Sequence, residues 1–230
     1  MQKILQKIMK KEELARYLDY TILKQDAKES DLIELCNNAK KYNFKAVCVS
    51  PCYVEFCKDR LQNTNTSICT VIGFPHGLNT TAVKIFEGKD AIKNGADELD
   101  LVINNSYTKS GKFDLIEAEL KEFCREMKSI KKDVIIKIII ETCLLTDEEK
   151  VKIAKIVKNS GADFVKTSTG FSKGGATVED VKLLREAVGK DFLIKASGGI
   201  RNYDVAMHMI EAGANRLGVS AAVQIVEDAK

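Results

Sequence analysis

Apolar residues in this chain come in two kinds of run. The first is short and continuous: KAVCVS (45–50), ICTVIGF (68–74), VIIKIIIE (134–141) and FLIKASGG (192–199). Unbroken Val/Ile-rich runs, rather than alternating ones, mark strands of a parallel sheet covered by helices on its outer face. The second kind spaces its apolar residues at i, i+3 and i+4, which predicts amphipathic helices. DLIELCNNAKKY (31–42), TTAVKIFEGKDAIKNG (80–95) and FDLIEAELKEFCREMKSI (113–130) follow it. So do TDEEKVKIAKIVKNSG (146–161), TVEDVKLLREAVG (177–189) and YDVAMHMIEAG (203–213). Thr146 with Glu149 predicts a capping box, and Thr177 with Asp180 a variant of it.

Three segments repeat one theme: NGADELDLVIN (94–104), SGADFVKTSTG (160–170) and AGANRLGVSAA (212–222). Each runs Gly-Ala-Asp/Asn, then an apolar strand, then small or polar residues. Glycine suits the left-handed residue that ends a helix, so the unit is helix, stop, strand, loop. These three and the four runs above give seven strands, and ARYLDYTIL (15–23) supplies an eighth. Eight strands with helices between them and no linker predict an α/β fold, a single (β/α)8 TIM barrel over residues 1–230. Ile4, Leu5, Ile8 and Met9 add a short N-terminal helix. A doubly wound open sheet is the competing architecture, weakened because no G-x-G-x-x-G follows the first strand.

Composition narrows the function classes. At 230 residues the chain can bury a core without disulfides or metal. The net charge is +3 and its basic residues are scattered, so neither nucleic acid nor a membrane surface is an expected partner. No apolar run reaches the length of a membrane span, and no signal-peptide core opens the chain; a cytoplasmic protein is expected. Seven cysteines, an odd number, predict reduced thiols. With only two histidines and no C-x-x-C pair, no metal site is expected.

Charged residues inside the strands carry the candidate chemistry: Asp100, Lys137, Lys166 and Lys195. A charge facing a barrel interior must be paired or neutral. One reading makes these four an internal salt-bridge layer; the other makes them an active site, because barrel sites lie at the C-terminal strand ends. Position separates the lysines. Lys166 precedes Thr-Ser-Thr-Gly and Lys195 precedes Ala-Ser-Gly-Gly, both where strand becomes loop. Lys137 lies deeper and is expected to pair with Asp100 or Glu141.

A lysine attacks a carbonyl only as the free amine, which at an ordinary pKa near 10.4 is about one molecule in 2,500 at pH 7. Bringing that pKa to about 7 takes roughly 4.6 kcal/mol. Two amines about 6 Å apart on neighbouring strands repel by about 2.8 kcal/mol at an effective dielectric of 20. Burial would have to supply the rest. Either lysine could be the nucleophile on this ground. Glycine-bearing loops at 167–170, 197–199 and 218–222, with a helix expected to start at Ser220, add backbone N–H groups suited to a phosphate.

FVKTSTGF, FLIKASGGIR, DELDLVIN, TVIGFPHG and YLDYTIL resemble the signature segments of the deoxyribose-phosphate aldolase family, FVKTSTG followed by K-x-x-G-G being the specific pair. The resemblance covers nearly the whole chain. It implies a cofactor-free class I aldolase that interconverts 2-deoxy-D-ribose 5-phosphate with D-glyceraldehyde 3-phosphate and acetaldehyde through a lysine Schiff base. It implies Lys166 as the Schiff-base lysine, Lys195 as the second lysine and Asp100 in proton transfer. Asp19 would support Lys195 or that relay. Thr169, Gly170, Gly198, Gly199 and Ser220 would hold substrate, phosphate included. It also implies a homo-oligomer, dimer or tetramer. Three features depart from the family pattern: NNSYTKSG (104–111) after the fourth strand, His76 in GFPHG, and an end in VEDAK that supplies no C-terminal tyrosine. Cys48 is expected on strand two, as a small core residue or a thiol at the mouth. Two further readings stand beside the aldolase: another phosphosugar barrel enzyme, transaldolase-like or metal-dependent, and a non-catalytic phosphosugar-binding protein.

Overall fold

The computed structural model describes residues 9–229. Most of the expected N-terminal helix lies outside that range; within it, a short helix spans Lys11–Ala15. Eight strands follow: β1 Leu18–Ile22, β2 Ala46–Val49, β3 Ser67–Ile72, β4 Glu98–Val102, β5 Ile135–Ile139, β6 Phe164–Lys166, β7 Leu193–Ser197 and β8 Arg216–Val219. They pair in sequence order, all parallel, and β8 closes on β1. The (β/α)8 barrel expected from the apolar runs is the fold, and the open doubly wound sheet is excluded by that closure.

The apolar runs form strands without visible alternation because both faces of the barrel wall are buried. Residues facing outward, such as Val47, Leu99, Ile136, Ile138, Val165, Ile194 and Leu217, pack against the surrounding helices. Each such side chain contributes about 2 kcal/mol by leaving water. Their neighbours point into the barrel, where Ala46, Cys48, Cys69 and Val71 make a separate small cluster. Much of the rest is ionic, with Val102, Ile139 and Phe164 sharing the inward faces of β4, β5 and β6.

The helices fall where the spacing placed them, at Glu29–Tyr42, Thr81–Lys93, Phe113–Ile130, Asp147–Lys158, Val178–Val188 and Tyr203–Glu211. One more, Val54–Arg60, joins β2 to β3 and was not anticipated. Pro51 opens the turn before it, and Val54 and Cys57 are its buried residues. The departure at 104–111 is also helical, over Asn105–Lys109, with the Asn104 side chain accepting from the Ser106 N–H. The Thr146 capping box is reciprocal. At Thr177 only half forms: its hydroxyl accepts from the Asp180 N–H, while the Asp180 carboxylate turns to Lys150 at 2.7 Å. The last helix, Ala222–Glu227, starts two residues later than expected, so Ser220 stays in the loop after β8. Among the described residues no helix is long and apolar enough to cross a membrane.

Candidate active site

Strand alternation and register bring seven charged side chains into the barrel. Asp100 lies beside Lys137, Lys166 beside Lys195, and Lys195 beside Arg216. Glu98 sits two residues before Asp100 on β4, so both point the same way. Asp19 enters from β1.

Six of the seven close a ring of alternating charge. Arg216 lies 3.0 Å from Glu98 Oε2, and that same oxygen lies 2.6 Å from Lys137 Nζ. Lys137 donates to Asp100 Oδ1 at 2.8 Å. Asp100 Oδ2 accepts from Lys195 at 2.8 Å. Lys195 stands 2.5 Å from Asp19 Oδ2, an ion pair without hydrogen-bond alignment that leaves this oxygen with no hydrogen-bond donor. Arg216 Nε closes the circle on Asp19 Oδ1 at 2.7 Å. An isolated buried ion costs several kcal/mol; here each charge has two opposite neighbours to offset that cost.

Lys137 was expected against Asp100 or Glu141. The structure pairs it with Asp100, as expected, and with Glu98 rather than Glu141. Glu141 lies past the end of β5, where its backbone turns left-handed at φ 56°, and its carboxylate accepts from the Thr169 N–H and hydroxyl.

The electrostatics follow from the ring. Burial alone would raise Asp100, but Lys137, Lys166 and Lys195 hold it well below the usual carboxylate range. Asp19 is likewise lowered, with Arg216 and Lys195 overcoming its burial. Burial lowers Lys195, yet Asp100 and Asp19 outweigh it and leave the group raised. Glu141 moves the other way: its burial raises the carboxyl against the Thr169 donors and Lys166.

Lys166 is the seventh charge, outside the ring. It donates to Asp100 Oδ2 at 2.7 Å, the oxygen that also holds Lys195. The two amines are therefore no farther apart than those two bonds laid end to end. Gly218 makes room for this crowding: a Cβ there would stand 2.9 Å from Ser197 Cβ and 3.1 Å from Lys195 Cε.

Above the ring, a cavity of about 430 Å³ opens at the C-terminal ends of β1, β6, β7 and β8. Lys166, Thr169, Gly170, Gly198, Gly199 and Ser220 all line it. Lys195, Asp100 and Asp19 are fully buried beneath and are not on its wall. The wall also carries Lys24, Phe171 and Arg201, which the sequence reading did not single out. Arg201 had a signal, as the basic residue two positions after the Gly198-Gly199 pair; Lys24, just past β1, had a similar one. Among the described residues no carboxylate lines the cavity, so its wall is cationic. Lys24 is drawn partly aside by Asp31 at 2.8 Å. Gly170 and Gly199 adopt φ of +84° and +82°, and nothing lies within 4 Å of where their Cβ atoms would sit. That leaves their backbone open to a ligand.

Cys48 faces the barrel interior, fully buried next to Cys69, not the mouth. Cys48, Cys69 and Asp100, and also Asp19, Cys69 and Glu98, bring ligand atoms within 4.8 Å of one another. Lys137, Lys195 and Arg216 already occupy those carboxylates, so these sets serve as ion-pair partners rather than as an open metal cage. His76 is exposed on its loop. At the opposite, N-terminal end of the barrel a second cavity of about 500 Å³ runs from Lys58 to Asp97. None of the seven charges of the interior reaches it.

Residues 14–226 match the model of the DeoC/LacD family aldolases. The chain belongs to this family. It is an aldolase, a carbon–carbon lyase. A deoxyribose-phosphate aldolase of Thermoanaerobacter sp. (strain X514) is 53% identical over 94% of this chain and 96% of its own. One of Clostridium tetani (strain Massachusetts / E88) is 52% identical over 95% of this chain and 100% of its own. The solved deoxyribose phosphate aldolase of Aeropyrum pernix, described as tetrameric, superposes with a TM-score of 0.87 at 31% identity, covering 94% of this chain and 91% of that one. The aldolase resemblance read from the signature segments is the family, and Lys166 ends β6 on the face where barrel enzymes carry their chemistry.

Proposed function

We propose that this aldolase reversibly cleaves 2-deoxy-D-ribose 5-phosphate to D-glyceraldehyde 3-phosphate and acetaldehyde through a Schiff base on Lys166. One observation carries the reading: of the three lysines in the ionic cluster, Lys166 alone lies on the cavity wall. Its neutral amine attacks the C1 aldehyde, and the carbinolamine takes up a proton from solvent and loses water to give a protonated imine, the proton returning to solvent on the final hydrolysis. Asp100, through a water, accepts the C3 hydroxyl proton as the C2–C3 bond breaks toward the imine. Glyceraldehyde 3-phosphate leaves. The remaining enamine takes a proton at C2, and water releases acetaldehyde and the free amine. Lys195 stays charged between Asp19 and Asp100 and keeps the Asp100 carboxylate ionised. The phosphate sits on the backbone of Gly170, Gly199 and Ser220, with Arg201 and Lys24 supplying charge, and fixes the sugar for attack.

The carboxylate-free wall favours this phosphosugar over a neutral sugar. The lysine-filled interior favours the imine route over a metal-dependent one. The tetrameric relative supports a homo-oligomer for this chain as well. The free thiols fit a cytoplasmic setting. Incubation with deoxyribose 5-phosphate, with both products followed by coupled assays, tests the reading. Formation of both products, undiminished by chelator, is expected. Tight binding without turnover would defeat it in favour of a phosphosugar-binding protein.

A further inference from the structure

Glu141 is a buried carboxylate that the proposed chemistry leaves unused. It stands just beyond β5 in a left-handed backbone conformation, φ 56° and ψ 67°, that a residue with a side chain adopts only where its surroundings hold it. What holds it is the loop after β6. The Thr169 N–H donates to both carboxylate oxygens at 3.3 Å, and the Thr169 hydroxyl donates to Oε2. Thr169 Oγ1 in turn accepts from the Phe171 N–H at 3.0 Å. Phe171 then packs edge-on against Phe74, ring centroids 5.2 Å apart. Thr169, Gly170 and Phe171 all lie on the cavity wall; Glu141 does not. One carboxylate thus ties down the segment that carries Gly170, from behind.

We propose that Glu141 is a positioning residue that fixes segment 169–171 and so sets the recognition of the substrate's phosphate. The inference rests on the phosphosugar reading above. It predicts a selective defect. With Glu141→Ala, the KM for deoxyribose 5-phosphate rises about tenfold while kcat stays within about threefold. With unphosphorylated 2-deoxyribose, kcat/KM changes by less than about threefold. Glu141→Gln keeps an acceptor oxygen for the Thr169 donors and brings the KM most of the way back. Glu141→Gln keeps the test decisive if Glu141→Ala does not fold, and in a double-mutant cycle Glu141→Gln adds no further KM loss to Thr169→Val, as expected if both act through one clamp.

Steady-state kinetics of these variants on both sugars, with borohydride trapping on each, form the experiment. Equal losses on the two sugars would overturn the positioning role. So would a kcat loss in Glu141→Gln as large as that in Glu141→Ala, because it would mean the negative charge, and not the clamp, is what acts. Trapping separates the two layers. Failure of the wild type to trap substrate defeats the Schiff-base reading itself, whereas normal trapping with an unselective loss defeats only the role of Glu141.

Discussion

The floor and the mouth of this barrel use the same residue types to opposite ends. On the floor, Lys137, Lys195 and Arg216 alternate with Asp19, Glu98 and Asp100, and every charge is matched on two sides. At the mouth, Lys166, Lys24 and Arg201 line a wall without a carboxylate. Lys166 belongs to both regions. It reaches down to one oxygen of Asp100 and opens upward on the cavity. Lys195 pairs with two carboxylates and is held charged, whereas Lys166 pairs with one carboxylate oxygen that it shares with Lys195. The proposed division of work between two adjacent lysines in register on β6 and β7 rests on that contrast.

Breaking the contrast at its junction has the largest effect. Lys166→Ala removes the pendant amine and lowers turnover by more than about 1,000-fold, measured on deoxyribose 5-phosphate, while the ring and its stability remain. Breaking the floor comes next. Arg216→Met leaves Asp19 and Glu98 each short of a cation in the interior and destabilises by about 3–5 kcal/mol in urea unfolding. Acid titrates the same floor. Asp19 and Asp100 both sit below their ordinary value, so their contribution is complete above about pH 4 and is lost as pH falls toward their native values. Stability measured from pH 5 downward should drop by up to about 1.4 kcal/mol per unit for each such group, and Asp19→Asn should flatten that slope. Gly218→Ala sharpens the comparison most gently. Its Cβ crowds Lys195 and Ser197, at a cost of about 1–3 kcal/mol, and the activity loss should exceed the loss expected from stability alone.

How much of this was legible beforehand depends on the range of each interaction. The strands and most helices follow from local periodicity, which neighbours in sequence settle. Lys166 and Lys195 stood out because strand ends and glycine loops are also local. The ring did not. Glu98 and Arg216 lie 118 positions apart, and their meeting depends on how the closed barrel staggers its strands, which no single segment encodes. Glu98 still had a signal, its place two residues before Asp100 on one strand face. Of the two partners expected for Lys137, Asp100 pairs with it and Glu141 does not. The left-handed turn at Glu141 sends it to Thr169 instead, and nothing nearby in sequence marks that turn. The helix at Val54–Arg60 was missed because it is short and opens on a Pro51 turn rather than a polar cap.

The most direct measurement is the site of covalent capture. Reducing the enzyme with borohydride in the presence of deoxyribose 5-phosphate, then mapping the peptides by mass spectrometry, should place the added mass on Lys166 and leave the Lys195 peptide unmodified. Label on Lys195 with Lys166 untouched would contradict the assignment of the pendant lysine as the nucleophile.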